Sequence, residues 1–266
     1  MMQSECSKTY AQPDSRTVAG RMITRWFDEL QLNVAPTCNM LCNFCSKGSD
    51  CICNGNDPGY CSRMLTPRQA VNWAASSILK DKRIKVVKIS GPGEPLCNSQ
   101  TFEVFKRLGQ KLPDVIFGIS TNGLRLEDKA EILAALGVRM VDISINAVRE
   151  ETITKLYSKL IVDNDIISGT KLSSFLHEKQ MKGLEKCIKL GMAVRINTVY
   201  FPGINDDDIL KIAQMCKESG IASMCLISAF PGGKLARMTP PSVANMVAMQ
   251  QKIGKILPEV QIKSFL

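Results

Sequence analysis

Apolar residues recur along the chain in two alternating rhythms. Short runs rich in Val and Ile, at 86–90, 115–120, 140–145, 194–200 and 223–229, have the length and β-branched content of buried strands. Between them the spacing changes to three and four. Residues 68–79 place Ala70, Val71, Ala74, Ala75 and Ile78 on one helical face, with Thr66 as N-cap and Pro67 at the first helical position. Further helices are predicted over 102–112, 129–136, 177–190, 207–218 and 242–256, two of them stopped by Gly137 and Gly191. An extended segment at 32–36 opens the series, a strand at 260–264 closes it, and 22–30 reads as a short helix before the first strand.

Strands and helices alternating with short links imply right-handed βαβ units and a parallel sheet. About six such units predict an α/β fold, a partial (β/α)6 TIM-like barrel. Residues 1–30 read as an N-terminal extension and 31–266 as one domain. The segment 157–176 breaks the rhythm and reads as a lid or rim insertion.

A chain of 266 residues buries roughly 70 to 75% of its unfolded surface, so its eleven cysteines are not needed as staples. No signal-like run and no apolar stretch of about 18 residues is present. The expectation is a cytoplasmic, thiol-reduced protein without a membrane association, whose cysteines are metal ligands or core residues. The net charge of +9 selects no partner by itself. Its densest run, 80–85, is mixed in sign and reads as a solvated turn, and nucleic acid is not expected as a partner.

The cysteine pattern changes the picture. Cys38-Asn-Met-Leu-Cys42-Asn-Phe-Cys45 places three thiols on one short loop directly after the first predicted strand. Thiolates suit iron-sulfur clusters or zinc, and three can hold three irons of a cubane while the fourth iron stays open for chemistry. A structural zinc site normally takes a fourth ligand, and His177 is the only histidine. Gly91-Pro92-Gly93-Glu94-Pro95 leaves the second strand, where glycine lets main-chain groups approach a small zwitterion. Ser120, Thr121 and Asn122 leave the third strand, and Ser144 and Asn146 the fourth, which puts hydroxyl and amide groups at the same end of the sheet. Arg195 and Asn197 share one face of their strand and, facing inward, would grip a carboxylate or ribose; the alternative is that the serine and threonine cap turns and Arg195 pairs with Asp142.

Together the cysteine loop and the Gly-Pro-Gly-Glu-Pro turn resemble the radical SAM superfamily. That resemblance implies a partial barrel of the radical SAM type, a 4Fe-4S cluster on Cys38, Cys42 and Cys45, S-adenosylmethionine (SAM) on its open iron, reductive cleavage of SAM, and a low-potential electron donor such as ferredoxin or flavodoxin. Over residues 31–230 the segments Val34-Ala-Pro, Asp50-Cys51, Leu65-Thr-Pro, Ser120-Thr-Asn-Gly-Leu124, Ile143-Ser-Ile-Asn146 and Pro202-Gly-Ile-Asn205-Asp are similar to the NifB family, maturases of the nitrogenase iron-molybdenum cofactor. This implies iron-sulfur metallocofactor assembly with a carrier or assembly protein as partner. Cys51 stands where that family has a substrate-cluster ligand. The family's His-Pro-Cys motif and C-terminal cysteine pair are absent, and its cysteine before Ser-Thr-Asn-Gly is replaced by Gly118. Cys51, Cys53, Cys61 and Cys97 are instead candidates for an auxiliary 4Fe-4S cluster. Rival readings are radical C-H functionalisation of a peptide, tRNA or small molecule, and a non-catalytic iron-sulfur carrier or scaffold. Cys187, Cys216 and Cys225 fall among apolar neighbours and read as core residues, Cys6 lies in the extension, and His177 reads as a surface residue at a helix start.

Overall fold

The computed structural model describes residues 28–45, 64–163, 165–221, 223–258 and 261–265. Cys6, Cys51, Cys53 and Cys61 lie outside them, as does most of the helix expected at 22–30. The end of that helix is corrected: Asp28–Ala35 is a strand, β1. Leu30, Leu32 and Val34 alternate with polar residues along it, a period of two that suits a strand pairing with its neighbour.

Seven parallel strands form the main sheet: β1, β3 (Ile84–Pro92), β4 (Ile116–Thr121), β5 (Val138–Ser144), β8 (Ala193–Tyr200), β9 (Ser223–Ser228) and β10 (Gln261–Phe265), in that order. Chain order and spatial order agree throughout, as expected for repeated βα units wound in one direction. β1 and β10 are the edges, so the barrel is partial. The crossovers are α1 (Pro67–Lys80), α2 (Ser99–Lys111), α3 (Leu126–Ala135), α4 (Glu150–Leu156) with α5 (Thr170–Lys189), α6 (Asp206–Glu218) and α7 (Val243–Ile256). Thr66 and Ser242 start α1 and α7 with capping boxes closed by Gln69 and Asn245.

The region 157–176 is ordered as secondary structure. β6 (Tyr157–Val162) and β7 (Asp165–Ile167) form a hairpin that pairs antiparallel with β2 (Met40–Cys42), and α5 starts at Thr170, seven residues before the predicted 177. The hairpin was hidden because its partner strand is the cysteine loop itself.

Two faces of the sheet have opposite characters. The outer face, with Leu32, Val87, Ile89, Ile119, Val141, Ile143, Val194 and Ile196, packs under the helices in one core that also takes in Cys187 and Cys216. On the inner face Val86, Met140 and Ala193 make a small apolar floor. Two residues further along the same strands come Lys88, Asp142 and Arg195, and two further Ser90, Ser144 and Asn197. The interior therefore grades from apolar to charged to neutral polar toward the carboxyl ends of the strands. No helix among the described residues is long and apolar enough to cross a membrane.

Candidate active site

The cysteine loop is fastened from three directions. β2 pairs with β6, setting Cys42 opposite Tyr157. Asn43 N donates to Leu156 O at 2.7 Å and Asn43 Nδ2 to Lys155 O at 2.8 Å, while Leu235 N donates to Asn43 O at 3.1 Å. Phe44 packs edge-on to Tyr157 at 6.0 Å and against Phe201 at 4.9 Å. Gly233, at φ +52°, passes so close to this loop that a Cβ there would sit 2.6 Å from Asn43 O and 2.7 Å from Cys45 O.

The turn after β3 is locked to the start of the same loop. Gly93 N donates to Ala35 O at 2.6 Å and Glu94 N to Thr37 O at 2.8 Å. Asn98 Nδ2 donates to Thr37 O and Glu94 O, and Asn98 Oδ1 accepts from Thr37 Oγ1 at 2.7 Å. A Cβ on Gly93 would lie 2.2 Å from Thr37 O, so this glycine makes room for the chain's own carbonyls. That corrects the expectation that Gly93 is small chiefly to admit a ligand.

Glu94 turns its carboxylate away from solvent and accepts from Thr121 Oγ1 at 2.6 Å, Asn122 N at 2.7 Å and Leu96 N at 3.0 Å. Burial pushes its pKa above the ordinary carboxylate value, against the pull of those three donors. Asn122 then donates to Asn39 Oδ1 at 2.8 Å, and Gln180 Nε2 bridges Asn122 O and Ser144 O at 2.8 and 3.0 Å. Thus the ends of β1, β3, β4 and β5 are joined in one polar chain.

These segments enclose a cleft of about 260 Å³ lined by Cys38, Cys42, Cys45, Pro92, Gly93, Glu94, Ser120, Thr121, Asn122, Ser144 and Asn146, together with Met40, Phe44, Ser90, Tyr157 and Val199. Gly91, Pro95, Cys97 and Asn197 stand off its wall, as does Arg195. Arg195 is placed one layer deeper, its guanidinium against Asp142 Oδ2 and 3.5 Å from Glu29 Oε1. Cys97 lies beside Glu94; burial and that carboxylate push its thiol up to about 12. Phe44, Tyr157, Asn39, Thr37, Asn98 and Gln180 escaped the sequence reading. The place of Phe44 between Cys42 and Cys45 was a readable signal; Gln180, mid-helix in α5, carried none.

Three cysteines on the wall of one cleft fit a cubane, in which each thiolate holds its own iron. A single ion would need three side chains to converge, and among the described residues no group of three Cys, His, Asp or Glu side chains does so. Ser120, Asn122 and Asn146 add polar side chains to the wall of that cleft, and Asn39 Nδ2, on the residue after Cys38, is buried without an acceptor.

A parallel partial barrel carrying three cysteines and a glycine-rich turn at its carboxyl end defines a class of enzymes that start radical reactions. The family model of the radical SAM superfamily matches residues 32–216, and the chain belongs to that superfamily. Membership implies a 4Fe-4S cluster and SAM, and makes the chain an enzyme of this class. Within the superfamily its relatives include NifB proteins. It is 32% identical over 241 residues to the FeMo cofactor biosynthesis protein NifB of Klebsiella pneumoniae, covering 88% of this chain and 51% of that protein. It is 31% identical over 233 residues to NifB of Methanocaldococcus infernus, covering 88% of this chain and 77% of that one. The chain spans about half the length of the Klebsiella protein and about three quarters of the Methanocaldococcus one. Among solved structures, a radical SAM methyltransferase from Sphaerobacter thermophilus superposes with a TM-score of 0.61 at 16% identity, covering 89% of this chain and 66% of that one. Methylornithine synthase superposes at 0.62 with 14% identity, covering 90% and 64%. These two likenesses concern the fold.

Proposed function

We propose that this chain cleaves SAM reductively at a 4Fe-4S cluster held by Cys38, Cys42 and Cys45, and that it serves the assembly of an iron-sulfur metallocofactor as a NifB-like enzyme. The observation that carries the reading is the convergence of the three cysteines and the Pro92–Glu94 turn on one cleft. When bound there, the cluster supplies one electron that splits SAM into methionine and a 5'-deoxyadenosyl radical.

The chain's own residues do the rest. Main-chain carbonyls of Pro92 and Gly93, in a turn pinned by Gly93 N to Ala35 O and by Glu94 N to Thr37 O, accept from the amino group of SAM beside the cysteine loop. Ser120, Asn122, Ser144 and Asn146 offer hydroxyl and amide groups to its ribose and base. Phe44, Met40 and Val199 line the cleft and limit the access of water, which protects a radical from side reactions. A second cluster on Cys51, Cys53, Cys61 and Cys97 belongs to the same proposal, as the place where a metallocofactor precursor or electron relay would sit.

The test is anaerobic incubation of the reconstituted protein with dithionite and SAM, scoring 5'-deoxyadenosine and S-adenosylhomocysteine. Both products support a NifB-like methyl transfer followed by abstraction; 5'-deoxyadenosine alone favours C-H functionalisation of another substrate. Cys42→Ala is expected to abolish both, since it removes one of three protein ligands. No SAM cleavage by the wild-type protein, with the cluster present and reduced, would return it to a carrier role.

A further inference from the structure

A second cleft, of about 360 Å³, opens between α1 and α2 and shares no residue with the cleft that carries the cysteines. It is lined by Arg68, Val71 and Asn72 from α1 and by Arg107, Gln110 and Lys111 from α2. Three of these are cations, two are carboxamides, and no carboxylate stands among them. Helix geometry explains the convergence. Residues 68 and 72 are one turn apart on α1, as are 107 and 111 on α2, and the two helices pack side by side, so each presents a polar pair to the other. Val71 is the one buried member of the lining; the other five are exposed.

The charges of this cleft are only partly balanced. Arg107 takes one oxygen of Glu103, through Nη2 at 2.7 Å and Nε at 2.8 Å, which leaves its Nη1 available. Lys111 Nζ donates to Asn72 Oδ1 at 3.0 Å. That acceptor is neutral, so the bond ties α2 to α1 and holds the ammonium at the cleft without cancelling its charge. It also leaves Asn72 Nδ2 as a donor. Arg68 makes no ion pair or side-chain hydrogen bond among the described residues. Its position has no local reason either: it lies in the first turn of α1, where the helix dipole disfavours a cation, and no acidic residue accompanies it there.

We propose that this cleft binds a small phosphorylated molecule through its phosphate group. The free guanidinium of Arg68 offers a planar pair of donors that matches an oxyanion, Lys111 adds a point charge, and Arg107 Nη1, Asn72 and Gln110 supply further donors. The volume falls within the range of small-ligand sites, about 300 to 1,000 Å³. The lining has no aromatic ring on which a base could stack, so the phosphate is the recognised part and a nucleobase is not. The same absence, with the cations gathered between two helices, favours a compact anion over an RNA strand. A phosphate dianion also meets the two unbalanced cations more fully than a single carboxylate does. The site is independent of the cluster, since none of its residues touches the cysteine loop.

Titration calorimetry at low salt compares the reconstituted wild-type protein with R68Q/K111Q and with the distant control K252Q, whose site is exposed on α7. The titrants are inorganic phosphate, glycerol 3-phosphate and succinate. Wild type and K252Q are expected to bind both phosphates with a Kd of about 1 mM or tighter. R68Q/K111Q is expected to bind them about tenfold or more weakly, having lost two charge-assisted contacts. Thermal unfolding gives a second readout: glycerol 3-phosphate should raise the Tm of wild type and K252Q and leave that of R68Q/K111Q in place, while the ligand-free Tm reports that each variant folds. Equal affinity for the two phosphates assigns the site to the phosphate group alone; tighter glycerol 3-phosphate assigns it to an ester. Succinate bound as tightly as phosphate would overturn the ligand class. Equal phosphate affinity in wild type and R68Q/K111Q, or none in wild type below about 10 mM, would overturn the site. A structured RNA that binds the wild type and not R68Q/K111Q, with neither phosphate bound, would replace the small molecule by a polyanion.

Discussion

The ammonium of Lys88 meets the carboxylate of Asp142 at 2.8 Å inside the sheet, with the two side chains only 1% and 2% exposed. Arg195 shares the same oxygen of Asp142, and Glu29 Oε2 takes a second contact from Lys88 at 2.8 Å. Two cations and two carboxylates thus form a neutral layer directly beneath Ser120, whose hydroxyl reaches Asp142 at 3.3 Å. Burial alone would raise Asp142, but Lys88 and Arg195 together overcome it and hold the group below the ordinary carboxylate range.

Asp142→Asn is therefore expected to cost about 3 to 5 kcal/mol, because it leaves two buried cations, Lys88 and Arg195, with only the Glu29 carboxylate to balance them. Urea unfolding measures it. Since the native pKa is lowered, the contribution of Asp142 is complete above about pH 4 and is lost as pH falls through its native value. The variant should lack that part of the acid limb. A loss under about 1 kcal/mol would mean the layer is hydrated and weakly coupled.

Gly93→Ala is expected to destabilise the fold by about 3 kcal/mol, the upper end for overpacking, because both atoms crowded by the new Cβ are main-chain oxygens of Thr37 and Ala35. The urea midpoint should fall, and iron uptake with it. A variant as stable as wild type that binds SAM more weakly would restore the ligand as the reason for glycine.

The hydroxyl of Tyr157 is committed by its neighbours. Val199 N donates to Asn146 Oδ1 at 2.8 Å, which fixes the amide, so Asn146 Nδ2 donates to Tyr157 Oη at 2.9 Å. The phenol stands on the wall of the cleft, with the Cys42 thiol beside it. Tyr157→Phe should lower stability by about 1 to 2 kcal/mol by orphaning Asn146, and weaken SAM binding by roughly threefold to tenfold if the proton is given to the ligand. Burial holds the phenol above its ordinary value, so the SAM effect should not vary between pH 6 and pH 9. Equilibrium dialysis across that range checks both statements; unchanged affinity confines Tyr157 to packing against Phe44.

Cys51→Ala/Cys97→Ala tests the second cluster. Iron content should fall from roughly eight to roughly four per chain, the loss of one cubane, while the SAM-perturbed EPR signal of the first remains. Unchanged iron would leave a single-cluster enzyme, with Cys97 a half-buried thiol beside Glu94.

The chain's periodicity by itself determined most of the architecture. Every strand of the main sheet and all its crossover helices except α4 were legible as apolar runs and amphipathic faces, because each buries one surface against the next layer. Caps at Thr66, Gly137 and Gly191 marked ends for local steric reasons. The cysteine spacing and the Gly-Pro-Gly-Glu-Pro turn named the chemistry, since ligands supplied by one short loop must be adjacent in sequence. What only the tertiary structure decided depends on contacts between distant residues. β2 is only three residues long, and β6 exists because it pairs with β2 across more than a hundred residues. Gly93 faces Thr37, Gln180 reaches from α5 to two strand ends, and Arg195 spends its charge on Asp142 and Glu29, below the cleft. A residue's type announces what it can bond. Which partner it finds is set by the register of neighbouring strands and the turn of a helix, and these appear only when the layers are packed.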